Sequence, residues 1–213
     1  MNLLYTKSRG AWLGFLAALF SVFIINKKRK YLVVLLLILM ISFYVLPSEY
    51  INRFESSINV TDNRSNLGRL ALWKGSLFML RDNPLRGVGA GNFQEKYAGE
   101  YRQPNTTTTV HAHNNLLHFT AEAGILGLFT FIFLMYSILK VLVKGLKQVE
   151  DKNWYLFLLS GVGAFIVFNI QGLTEFNFGD TEPLHFFFFL MALNMIVIKI
   201  FTDKKINQKK VDN

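Results

Sequence analysis

Three groups of side chains in this sequence have the chemistry for acid–base or anion work: a histidine cluster, a set of arginines and a run of glycines. His111, His113 and His118 fall within eight residues, with Asn114 beside them and Glu122 four positions past the last. Neutral imidazoles are common zinc ligands, yet this spacing fits none of the usual helical zinc patterns. No metal and no cofactor is therefore expected. The cluster also reads as one general base, His113, at the mouth of a helix on which His118 and Glu122 make an i, i+4 contact. A polar helix start with incidental histidines is the plainer alternative.

Among the arginines, Arg9 lies sixteen residues before Ile25 on an apolar stretch. At 1.5 Å per residue that is about 24 Å, close to the far edge of a roughly 30 Å hydrocarbon core. An ionisable residue there is a functional candidate; an interfacial arginine snorkelling to water is the alternative. Arg69 stands four residues before Trp73 and reads either as an anion ligand or as a lipid-headgroup contact. Arg53, Arg64, Arg81, Arg86 and Arg102 share its segment. The glycines of Gly87-Val88-Gly89-Ala90-Gly91 could cradle phosphate with backbone N–H groups, but no strand is expected before them, and sharp turns with close backbone approach explain them.

The elements that must carry these residues are membrane helices. Of 213 residues, 52% are hydrophobic, 21 are Phe and only 17% are charged, which does not suit a water-exposed surface. Apolar blocks occupy 11–25, 31–46, 116–143, 154–170 and 184–201. The fold expected is all-α: a polytopic transmembrane bundle of about five helices, with two spans in 1–46, a long extracytoplasmic loop over 47–112, and three spans with a basic cytoplasmic tail in 113–213. The first helix, with Lys7 and Arg9 at its head, reads as a retained span rather than a cleaved signal. Within the loop, Leu67, Leu70, Ala71, Leu77 and Phe78 recur at helical spacing after the capping candidates Ser65 and Asn66, which predicts an amphipathic helix on the membrane surface.

Charge placement orients the chain. Lys27 to Lys30, then Lys144, Lys147 and Lys152, then Lys204, Lys205, Lys209 and Lys210 mark cytoplasmic segments, whereas 171–183 holds Glu175, Asp180 and Glu182 without Lys or Arg and belongs outside. The same placement accounts for the net charge of +9, so nucleic acid is not an expected partner. With no cysteine, disulfides, thiolate nucleophiles and Cys-ligated metals are excluded.

Ser8-Arg9-Gly10-Ala11-Trp12, Gly68-Arg69 with Trp73, Asn83-Pro84-Leu85 leading to Gly87 through Phe93, and His113-Asn114 followed after nine residues by Gly124-Ile125-Leu126-Gly127 occur in a telling order. Together, over about residues 8–140, they resemble the O-antigen ligase and polysaccharide polymerase family. The resemblance implies transfer of a glycan from undecaprenyl pyrophosphate to a hydroxyl of a glycan, lipid or protein acceptor, at the outer face of the bacterial plasma (inner) membrane. It implies His113 as the base and Arg9 and Arg69 as pyrophosphate ligands, with Asn114, Glu122, Gly124 and Gly127 in support. Members are usually about twice this length, so the chain resembles a C-terminal half, and ligase and polymerase are not separated. Two other classes compete. A transporter or flippase component would need polar residues at mid-depth in several helices, where the second and fifth offer little besides Asn194. A truncated, non-catalytic membrane protein is the other.

Overall fold

Each apolar run forms a helix that begins or ends on polar residues. The computed structural model of the chain describes residues 8–28, 30–45, 64–104, 106, 109 and 111–211, and no strand occurs among them. In chain order the elements are α1 (Arg9–Ile25), α2 (Lys30–Val45), α3 (Arg64–Asp82), α4 (Phe93–Lys96) running into a π-helical turn at Tyr97–Tyr101, α5 (Asn115–Leu146), α6 (Lys152–Gln171) and α7 (Thr181–Val211). Side-chain caps start three of them: Ser8 accepts from the Ala11 N–H, Asn114 from Leu117, and Asp151 from Asn153 and Trp154.

Three helices, α5, α6 and α7, are long and apolar enough to cross a membrane, while α1 and α2 are apolar but shorter, at 17 and 16 residues. Among the described residues, then, three helices reach span length, and two shorter apolar ones stand where the other two of about five spans are expected. The last helix continues to Val211, so Lys204, Lys205 and Lys210 stand on it. Residues 64–82 form α3, and since it begins at Arg64, Ser65 and Asn66 lie inside its first turn instead of at its cap. The start of the expected loop, residues 47–63, lies outside the described residues.

Small residues let α1 lie close on α6. A Cβ on Gly14 would stand 3.1 Å from the Val167 carbonyl oxygen, one on Gly163 3.9 Å from Ala18, and one on Gly10 would meet the Thr174 hydroxyl. With neither lipid nor water favouring one apolar surface over another, close backbone approach is what holds such helices together. Helices α5, α6 and α7 are joined instead by a large apolar cluster that includes Phe131, Leu142, Leu158, Val162, Phe168 and Met191, with Phe168 stacked on Phe187 at 4.0 Å between centroids.

Helix α5 is broken at Gly124, whose φ of 65° and ψ of −158° suit only glycine. The break orphans backbone groups, and the segment after α3 satisfies them. Val88 and Gly89 donate to the Ala121 and Glu122 carbonyls, and Ile125 donates to the Pro84 carbonyl, all at 2.8–2.9 Å. The fit leaves no room for side chains: a Cβ on Gly124 would stand 2.5 Å from the Leu85 carbonyl carbon, and one on Gly87 would meet the Ala121 carbonyl. Gly127 closes the bend, since a Cβ there would lie 2.8 Å from the Phe119 carbonyl oxygen. The two glycine motifs of the sequence are therefore one interlock. Residues 125–146 then rise about 33 Å, enough to cross a bilayer core, and 115–123 form a separate helical cap.

Candidate functional site

At the end of the bundle where α5 begins and α6 ends, two loops are tied by single polar atoms. Asn114 caps α5 through Oδ1 and donates from Nδ2 to the Leu173 carbonyl at 2.9 Å. The Asn115 N–H donates to the Gly172 carbonyl at 2.7 Å, and its Oδ1 accepts from the Asn177 N–H at 2.9 Å. These bonds draw residues 172–177 against the turn 111–114. His113 itself takes a left-handed φ of 50°, a conformation that costs a non-glycine residue roughly 1–3 kcal/mol and persists only where the surroundings enforce it.

The arrangement delivers Glu175 to both His113 and Arg69. Its Oε2 lies 2.8 Å from His113 Nδ1, and its Oε1 accepts from Arg69 Nη2 at 2.5 Å. Arg69 arrives on α3, which is seated by Leu72, Ser76 and Met79, each at most 3% exposed. On its opposite side α3 exposes Leu67, Leu70 and Leu77, so the apolar stripe expected from the sequence points away from the protein. Burial raises the Glu175 carboxyl, but hydrogen bonding and charge from His113 and Arg69 outweigh it and hold the group below the usual carboxylate range. His111, edge-on to His113 at 4.3 Å between centroids, is pushed down by burial and by the neighbouring His113 and His118.

A cavity of about 220 Å³ opens in front of this trio, lined by Ser65, Gly68, Arg69 and Leu72 from α3 and by Thr106, Thr109 and His113. Glu175 stands behind that lining. An ionised carboxylate only accepts hydrogen bonds, so His113 must donate from Nδ1, which leaves Nε2 as the basic nitrogen. The cavity thus combines an imidazole, a guanidinium and several hydroxyls.

Arg69 and His113, separated by 44 positions in sequence, are brought together on the cavity. For Arg9 the described backbone starts α1, and its side chain lies outside the described residues; its neighbour Gly10 packs on Gln171 and Thr174, directly before Glu175. Glu122 stays away from the cavity: it accepts from the Phe93 N–H at 3.1 Å and sits 3.5 Å from His118 Nε2. The three clustered histidines engage separate partners, and no group of three potential metal ligands occurs among the described residues. Glu175 is the residue that sequence reasoning passed over, as one of three acids marking a loop. Its position just after a helix that returns to the His113 end was the available clue.

A family model described as O-antigen ligase matches residues 1–132. The chain belongs to the O-antigen ligase family. The match takes in Arg9, Arg69, His113, Asn114, Glu122, Gly124 and Gly127, while Glu175 lies beyond it. The chain is 28% identical over 184 residues to the O-antigen ligase of Salmonella typhimurium, covering 78% of this chain and 44% of that protein. It is 27% identical over 140 residues to proteins of Rickettsia typhi and Rickettsia prowazekii that carry the provisional name of polysaccharide ligase, covering 62% of this chain and 32% of each. It therefore spans between about a third and under half the length of these curated relatives. The apolar helices agree with membership of this membrane-bound ligase family.

Proposed function

We propose that this chain carries the site at which a glycan is moved from undecaprenyl pyrophosphate to the hydroxyl of a glycan, lipid or protein acceptor, on the outer side of the bacterial plasma membrane. The observation behind it is the convergence of His113 and Arg69 on one cavity, both bonded to Glu175 behind its lining. An acceptor hydroxyl donates its proton to His113 Nε2 as its oxygen attacks the anomeric carbon. The bond from that carbon to the pyrophosphate oxygen breaks, and the leaving group takes the electron pair. Glu175 remains ionised, accepting from Nδ1–H and stabilising the imidazolium that forms. Arg69, with Arg9 as a second cation from the start of α1, meets the charge on the pyrophosphate through its planar fork of donors.

Sidedness follows from the basic segments around Lys27, Lys144 and Lys204, which would lie in the cytoplasm and leave the cavity at the outer boundary. The decisive experiment uses the full-length protein. His113→Ala should lower transfer by about 10² to 10⁴ with membrane insertion unchanged, and transfer at an undiminished rate removes the base. A topology reporter at Gln103 should read outside; a cytoplasmic signal there removes the whole reading.

A further inference from the structure

One buried titratable ring next to the cavity takes no part in the chemistry above. His118 is 4% exposed and belongs to the cap segment of α5. Its ring lies on Phe176, with centroids 3.7 Å apart, and against Phe93 at 5.0 Å. Its Nδ1 accepts from the Ala112 N–H at 3.4 Å, and its Nε2 faces Glu122, whose other oxygen takes the Phe93 N–H. One side chain thus touches the residue before His113 and the residue after Glu175.

We infer that His118 is a positioning residue for His113: its Nδ1 lone pair holds the turn that presents His113 to Glu175. The inference rests on the reading of His113 as the base. Ala112 is fully buried, so without His118 its N–H would be a desolvated donor with nothing to accept it. Asn114 and Asn115 secure the backbone after His113. Before it, the strained φ is held by two imidazole acceptors, His118 for Ala112 and His111 Nδ1 for the His113 N–H, the latter also at 3.4 Å. Because Nδ1 accepts, the His118 proton is on Nε2 and directed at Glu122. Glu122 in turn grips the start of α4, so the glycine-rich segment and the His113 turn are joined through a single imidazole–carboxylate pair.

The test separates the two nitrogens in the full-length protein. An Asn amide reaches the place of Nδ1, and a Gln amide that of Nε2, each offering a carbonyl and an NH₂. His118→Gln should lower kcat about tenfold or more, with KM within about twofold, whereas His118→Asn should keep at least about half of kcat, since a misplaced base weakens the transition state more than substrate binding. Amide hydrogen exchange over residues 110–116 should quicken in His118→Gln and not in His118→Asn. Equal losses in both variants, of activity or of folded protein, overturn the inference, as does unchanged exchange in His118→Gln. The exchange readout needs no transfer, so full activity in His113→Ala would remove the base while leaving the His118 result to stand or fall separately.

Discussion

The helical bundle and the polar cap above it are built on opposite principles. In the bundle, Phe131, Leu142, Leu158, Val162 and Met191 pack by shape and volume, and many apolar side chains of suitable size could replace them. In the cap, Asn114, Asn115, His118 and Glu175 each make bonds that depend on the identity and direction of one atom. A bundle of this kind tolerates drift, whereas a cap of this kind does not. The proposed site sits in the less tolerant region, as acid–base chemistry, which requires orientation to a fraction of an ångström, would demand.

The sharpest test of that contrast is Glu175→Gln. The amide retains size and one acceptor but loses the charge that selects Nδ1–H, so transfer by the full-length protein should fall by roughly 10² to 10⁴. Combined with His113→Ala it should cost no more than the single change, because the pair acts as a unit. Multiplying losses would show that the two residues work separately.

Glycines come next. Gly124→Ala demands a backbone that alanine resists and drives a Cβ into Leu85, so folded yield and thermal stability in detergent should drop, with the backbone alone contributing roughly 1–3 kcal/mol. Gly68→Ala, on α3 with nothing within 4 Å of the new Cβ, should be neutral or stabilise by up to about 1 kcal/mol. Equal stability of the two variants would refute the interlock.

Arg69→Lys keeps a charge and loses the fork that reaches Glu175, and about a tenfold loss of transfer is expected in a steady-state assay. Wild-type rates would reduce Arg69 to a simple counter-charge.

The mildest perturbation is acid. His111 and Glu175 both have folded-state values below their ordinary 6.5 and 4.5, so each favours folding above that value and loses its contribution as pH falls through the depressed one. Acidification from neutrality should first loosen the cap through His111 and then, below about 4.5, through Glu175. Hydrogen exchange corrected for its intrinsic pH dependence should quicken in 109–115 and 172–177 before it changes in 131–142. Simultaneous loosening would mean that the two regions do not differ in the way their bonding indicates.

Some of this was legible without a structure. Runs of Leu, Ile, Val and Phe must bury their backbone polar groups in helices wherever water is scarce, so α1, α2, α5, α6 and α7 followed from composition alone, and His113 and Arg69 stood out through their motifs. The distance between those two residues did not, since it depends on how α3 docks against α5. Sequence spacing likewise put Leu67, Leu70 and Leu77 on one face of α3 but could not say that Leu72, Ser76 and Met79 form the seat. The partnership of Glu175 with His113 and Arg69 was out of reach for a related reason: it is created by bonds from Asn114 and Asn115 to a loop about 60 residues away. Local periodicity records which way a side chain points from its own helix. Only the folded chain determines what it meets there, because the directional bonds of the cap are made between segments whose order in sequence carries no distance.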